Sequence, residues 1–200
     1  ALLMLADTSR EQALKGLKRI ETLLSEGVER KIFKREAADA ILGRIEITGD
    51  LNDLHDVDIV IEAVFEDINV KRSLFQRLGE ITGPDTVLAT NTSSFLVEQV
   101  AEGVKHPERV IGLHYFYHPA KNRLVEVIGH SGSSEDVLVR AWNFQERIAK
   151  TPIDSADAPG LLSGSCSGHS NTPYSFCADW YLETLIARHL MALPESIVVH

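Results

Sequence analysis

The chain has 200 residues, 44% of them hydrophobic and 24% charged, the balance of one globular domain with its own core and room for part of a second. A formal net charge of -9 excludes nucleic acid as an expected partner, since surfaces that track phosphates concentrate Lys and Arg. No apolar run approaches the roughly 18 residues of a membrane span. Cys166 and Cys177, the only cysteines, form no CxxC pair and no disulfide framework, which suits a reducing, cytoplasmic setting.

In chain order, Ala1 to Ala6 is a short apolar run ending at Asp7, the pattern of a buried strand in a parallel sheet. Thr8 or Ser9 can cap the next element, where Ala13, Leu14, Leu17, Ile20, Leu23, Leu24 and Val28 recur at helical spacing. A second short helix is predicted over Lys34 to Leu42 and a strand over Arg44 to Thr48, closed by Gly49-Asp50. Val57 to Val64 is a strong buried strand. The helix predicted after it, Ile68 to Ile81, carries Val70, Leu74, Phe75 and Leu78 on one face. Gly83-Pro84-Asp85 is a turn, Thr86 to Thr90 a strand, and Phe95 to Val104 a helix. Arg109 to Phe116 and Leu124 to Ile128 are β-rich, Glu135 to Ala149 is a helix, and a last short strand starts at Thr151. From Leu161 to Thr172 the chain is rich in Ser and Gly without periodicity and reads as loop, and Phe176 to Ala192 regains helical spacing.

Strands alternating with helices imply a mostly parallel, doubly wound α/β sheet, Rossmann-like, which binds ligands beyond the carboxyl ends of its strands. Those ends are Asp7, Glu62 to Glu66, Asn91 to Ser93 and His114. Asp7 fits two readings, a helix cap or an acceptor for the ribose hydroxyls of NAD that would repel the extra phosphate of NADP. Glu66 with Lys71 reads either as a surface pair or as a bracket for a cofactor or substrate hydroxyl. Asn91 to Ser94 is a polar cluster just past an apolar strand. His114 lies in a β-rich apolar stretch, where a histidine often serves only the core. Glu126 sits among Leu124, Val125, Val127 and Ile128, where an unpaired carboxylate is costly. A Glu126–His114 pair across neighbouring strands removes most of that cost and raises the basicity of the imidazole, as a general base requires. His114 and His118 lack a completing ligand set, so no metal is expected.

Five stretches, in this order, carry a resemblance. They are Asp58 to Asp67 (DIVIEAVFED), Ala89 to Ser94 (ATNTSS), Pro107 to His114 (PERVIGLH), Leu124 to Ile128 (LVEVI), and Lys150-Thr151-Pro152 with Pro159-Gly160. Residues 1 to about 160 resemble the NAD-binding domain of the L-3-hydroxyacyl-CoA dehydrogenase family. That resemblance implies reversible oxidation of an L-3-hydroxyacyl-CoA to the 3-ketoacyl-CoA with NAD, a step of fatty-acid β-oxidation. It implies His114 as general base, Glu126 as its orienter and Ser93 on the reacting oxygen. Asp7 would hold the adenosine ribose, with Glu66, Lys71 and Ser93 toward the nicotinamide side. An acyl-CoA substrate, no nucleic-acid or membrane partner, and homo-oligomers formed through a helical C-terminal domain are implied with it.

Three departures from the pattern set further expectations. The chain starts at Ala1 and shows no Gly-x-Gly-x-x-Gly loop, so the first βα unit of the fold is expected to be missing, with strands Ala1–Ala6 and Val57–Val64 left without a neighbour between them and NAD held weakly. Tyr117 stands where the family has Asn. Gly164 and Ser165 stand where it has Asn-Arg, so residues 161–200 read as an atypical tail in place of the helical domain. The isolated chain is therefore expected to be an inactive fragment of such an enzyme. Two other readings stay open: another β-hydroxyacid dehydrogenase, whose usual Lys base the His114–Glu126 pair argues against, and a non-catalytic nucleotide-binding or interaction fragment.

Overall fold

A computed structural model describes residues 2–32, 34–116, 122–158 and 197–199. In chain order the elements are β1 (Leu3–Ala6), α1 (Arg10–Glu29), α2 (Arg35–Leu42), β2 (Ile45–Thr48), β3 (Ile59–Glu62), α3 (Ile68–Ile81), β4 (Val87–Thr90), α4 (Val97–Ala101), β5 (Val110–Tyr115), β6 (Leu124–Gly129), α5 (Glu135–Arg147), β7 (Thr151–Ala156) and β8 (Ile197–Val199). Among the described residues the strands form one eight-stranded sheet, ordered β2-β1-β8-β3-β4-β5-β6-β7. The strands from β2 across to β5 are parallel. The direction reverses at β6, which is antiparallel to β5, and β7 follows β6 in parallel.

Alternation along each strand divides the core into two layers. Leu3, Leu5, Ile59, Ile61, Val87, Ala89, Ile111 and Leu113 face a layer closed by Ala13, Ile20 and Leu24 of α1, Ala38 and Ile41 of α2, and Ala141 and Phe144 of α5. Ala6, Val60, Leu88, Val110 and Ile128 face the other, closed by Phe75 and Leu78 of α3 and Val97 and Val100 of α4. This is the doubly wound arrangement expected from near-continuous apolar strands. Each fully buried Leu or Ile side chain contributes about 1.5–3 kcal/mol of transfer free energy to holding the layers together.

The expectation that β1 and β3 lack a neighbour is corrected. β8 lies between them, with Val198 opposite Met4 on one side and Val60 on the other. Two strand edges that would otherwise show unpaired N–H and C=O groups are thereby paired. The sheet therefore draws strands from both sides of the boundary placed at residue 160. A three-residue strand is too short for apolar alternation to register in sequence. The loop expected over Leu161 to Thr172 and the helix over Phe176 to Ala192 lie outside the described residues.

The inner face of α3 differs from the sequence reading as well. Val70 is 45% exposed, and the buried stripe is Lys71, Phe75 and Leu78, with Leu74 partly buried. The spacing i, i+4, i+7 is helical as expected, but it begins on a lysine, whose ammonium is drawn toward the buried Glu62 carboxylate at the end of β3. On α1, Leu14 is likewise exposed.

Candidate active site

The carboxyl ends of β1, β3, β4 and β5 share one edge of the sheet, because these strands are parallel. Register then aligns the side chains. Glu62 pairs with Thr90 and Thr90 with Gly112, all on the face packed by α3 and α4. His114 lies two residues beyond Gly112 on that face, opposite Glu126 of β6. Gly112 keeps the row tight: a Cβ there would stand 2.9 Å from Val97 Cγ2 and 3.0 Å from Ile128 Cβ.

His114 is 5% exposed and Glu126 is fully buried. His114 Nδ1 lies 2.6 Å from Glu126 Oε2. With the carboxylate ionised, Nδ1 carries the proton and donates it, which leaves Nε2 of the neutral ring as the acceptor. Ser93 Oγ lies 3.1 Å from Nε2 and donates to it. Ser155 of β7 donates to the other oxygen of Glu126 at 3.4 Å. The Phe116 ring meets the imidazole edge-on at 5.3 Å and 62°. The imidazole thus has one nitrogen fixed on a buried carboxylate and the other aimed at an exposed serine at the open edge of the sheet. That arrangement is suited to taking a proton from an alcohol and holding the resulting charge.

A second network lies beside the first. Glu62, fully buried, accepts from Lys71 Nζ at 2.7 Å, from Val64 N at 2.6 Å and from Thr90 Oγ1 at 2.6 Å. Lys71 is 1% exposed and also reaches Glu66 Oε2 at 3.2 Å. Glu66 Oε1 accepts from Ser93 N and Ser94 N, each at 3.0 Å, and from the Thr92 hydroxyl. Burial pushes the Glu66 carboxyl up, but the Thr92 hydroxyl, the Lys71 ammonium and the Ser93 N–H outweigh it and hold it below its ordinary value. Asp67, next in sequence, caps α3 by accepting from Asn69 N and Val70 N.

Asp7 stands partly exposed at the carboxyl end of β1. It is not the cap of α1, which is Ser9, accepting from Gln12 N. Its bonds to Thr8 N and Thr8 Oγ1 both fall on Oδ1. Four strand spacings of about 4.8 Å separate it from β5, a distance suited to an extended dinucleotide rather than a small ligand. His114, Glu126, Ser93, Glu66 and Lys71 therefore converge, Asp7 stands apart on the same edge, and Lys71 lies behind Glu66 rather than at the surface. Tyr117 and His118 lie outside the described residues.

Three participants escaped the sequence reading. Thr90 ends an apolar strand and looks like any β-forming residue. Ser155 acts from a strand that is distant in sequence. Asn91, noted only as part of a polar cluster, ties β4 to β5 by accepting from Tyr115 N at 3.1 Å. Among the described residues no group of three or more His, Cys, Asp or Glu is placed to share a metal ion, and no helix is long and apolar enough to cross a membrane.

With this geometry in hand, comparison with known proteins gives a consistent answer. Residues 2–158 match the family model described as 3-hydroxyacyl-CoA dehydrogenase, NAD binding domain. The chain is 36% identical over 145 residues to a 3-hydroxybutyryl-CoA dehydrogenase of Clostridioides difficile, covering 72% of this chain and 50% of that protein. It is 38% identical over 139 residues to a fatty acid oxidation complex subunit alpha of Shewanella loihica, covering 70% of this chain and 20% of that one. Among solved structures, a 3-hydroxybutyryl-CoA dehydrogenase from Escherichia coli K12 superposes with a TM-score of 0.76 at 33% identity, covering 78% of this chain and 33% of that one. The chain thus spans half the length of the first relative and a fifth of the second. The cofactor of the matched domain is NAD.

Proposed function

This chain belongs to the 3-hydroxyacyl-CoA dehydrogenase family, whose NAD-binding domain it carries, and we propose that it supplies the cofactor side and the acid–base pair for NAD-dependent oxidation of an L-3-hydroxyacyl-CoA to the 3-ketoacyl-CoA in fatty-acid β-oxidation. The observation that carries this reading is the buried His114–Glu126 pair with Ser93 on the free imidazole nitrogen. The edge also fits a dinucleotide. A carboxylate stands partly exposed just past β1, and four spacings away His114, near the end of β5, meets Glu126 of β6.

When bound, NAD supplies the hydride acceptor. The chain's own residues do the rest. As the carbinol C–H bond gives up its electron pair with the hydride, His114 Nε2 takes the hydroxyl proton. Glu126 stabilises the imidazolium so formed, and Ser155 shares the charge on Glu126. Ser93 holds the reacting oxygen beside Nε2. Asp7 accepts ribose hydroxyls and disfavours a 2′-phosphate. The acyl-CoA substrate, homo-oligomerisation and a cytoplasmic location complete the proposal. The location is supported by two cysteines that form no CxxC pair.

The test is NADH formation from NAD and L-3-hydroxybutyryl-CoA. It is measured for the chain and for a chimera in which residues 2–158 replace the matching part of the Clostridioides difficile relative, since the match reaches only half of that protein. Turnover in the chimera that depends on His114 supports the reading. A chimera that binds NADH yet leaves the hydroxyacyl thioester untouched sinks it.

A further inference from the structure

We propose that Glu62 is a positioning residue. Through Lys71 and Glu66, its buried carboxylate holds the turn at residues 92–94 so that Ser93 Oγ stays on His114 Nε2. The inference rests on the proposed function only in treating Ser93 and His114 as the reacting pair.

The bonds form a directed chain. Glu62 is itself immobilised: one oxygen takes Lys71 Nζ and Val64 N, and the other takes Thr90 Oγ1. Lys71 is thereby fixed from below and meets Glu66 Oε2 from the inside of the fold. That leaves Glu66 Oε1 for the turn, where it accepts two backbone N–H groups, Ser93 and Ser94, and the Thr92 hydroxyl. The Glu66 side chain is 20% exposed. Without the lysine behind it, that carboxylate would turn to water and release the turn.

A staple between α3 and the sheet would not require these charges. Lys71 occupies the buried stripe of α3 with Phe75 and Leu78, and replacing a buried ion pair by packed apolar residues is often neutral or stabilising. An ammonium kept there at a desolvation cost, bracketed by two carboxylates, makes sense if the orientation of Glu66 is what matters. The sequence offers a reason for the arrangement: Glu62 and Glu66 flank a short loop, and Lys71 follows one helical turn after Asp67 caps α3. All three groups thus lie within ten residues.

The experiment reads the His114 imidazole directly, by NMR titration of the 200-residue chain, so it does not depend on turnover. The variants are Glu62→Gln and the double variant Glu62→Met with Lys71→Met, which removes both fully buried charges together and leaves only the partly exposed Glu66 without its lysine. Each is made with Ser93 intact and in a Ser93→Ala background, and circular dichroism reports the fold. If Glu62 acts through Ser93, each variant shifts the apparent His114 pKa by about 0.5 unit, the scale of part of one hydrogen bond. That shift shrinks to near zero once Ser93 is removed, because the two changes are coupled. A shift of full size in the Ser93→Ala background, or no shift in any variant, overturns the proposal. So does loss of fold in both variants, which would assign the network to stability alone. None of these results touches the dehydrogenase reading, which stands or falls on NADH formation by the chimera.

Discussion

His114 and Glu126 occupy directly opposed positions of the only antiparallel strand pair formed by the described residues, with Nδ1 2.6 Å from Oε2. The reversal at β6 makes this contact possible. In the parallel part of the sheet the polar residues crowd the strand ends, whereas β6 runs back along β5 and places a carboxylate beside the histidine. Backbone ladder bonds therefore hold both partners, and the imidazole cannot turn away from the open edge without breaking a buried charged hydrogen bond. Catalytic consequences follow from that fixed geometry.

Removing the base is the direct case. His114→Ala in the chimera should lower kcat by about 100-fold or more while substrate KM changes little, the signature of lost proton transfer rather than lost binding. Steady-state kinetics check it, and a near-normal kcat would remove His114 from the mechanism.

Glu126→Gln keeps the shape of the side chain but not its charge. The imidazolium loses its stabilising partner, so the apparent pKa governing kcat/KM should fall and the rate should plateau at lower pH, at a reduced height. Ser155→Ala should act in the opposite direction and more weakly, because Glu126 would then give more of its charge to His114. A pH–rate profile unchanged in both variants would mean that the contacts carry no catalytic weight.

Much of this site was legible in the sequence because its elements are strongly patterned. α3 spans Ile68–Ile81 as predicted, and the buried runs at β3, β4 and β5 end where polar residues begin. The cost of an isolated carboxylate among Val125, Val127 and Ile128 was enough to demand a partner for Glu126. What escaped was non-local or too short. β8 has three residues and pairs with strands more than a hundred positions away. Ser155 reaches Glu126 from a neighbouring strand. Asp157 lends its carboxylate to Val97 N and Glu98 N at the start of α4, across about sixty residues. Lys71 misled for a different reason. Hydrophobic periodicity ranks a lysine as exposed, and only its pairing with the buried Glu62 and the partly buried Glu66 turns the helix by one position.

Asp7 allows a test of the cofactor assignment. Its carboxylate at the end of β1 should repel the 2′-phosphate of NADP, so Asp7→Ala in the chimera should narrow the preference for NAD by about tenfold, mainly through tighter NADP binding. Dissociation constants for NADH and NADPH measured by calorimetric titration decide it. An unmodified chimera that prefers NADPH would contradict the ribose role of Asp7 outright.

Glu66 links the site to the pH dependence of stability. Burial alone would raise its carboxyl, yet Thr92, Lys71 and Ser93 hold it below its ordinary value of 4.5 in the folded protein. A carboxyl whose folded value is depressed adds stability that is fully present above the unfolded value and is lost as pH falls through the folded one. Glu66→Gln should therefore be less stable than the parent at neutral pH, by about 1–3 kcal/mol for charged hydrogen bonds made neutral. That gap should hold from pH 7 down to the ordinary carboxylate value and then close on further acidification, because Glu66 becomes as neutral as the glutamine. Glu62 remains in both proteins and cancels from the comparison. Thr92→Val removes the first of the lowering contacts, so its gap to the parent should also close in acid, and its own loss of stability should start at the same pH as the parent's but be smaller and end at a higher pH. Urea midpoints across a pH series measure all three proteins. A parent–Gln gap that stays constant or widens in acid would show that Glu66 is not held ionised by the turn it grips.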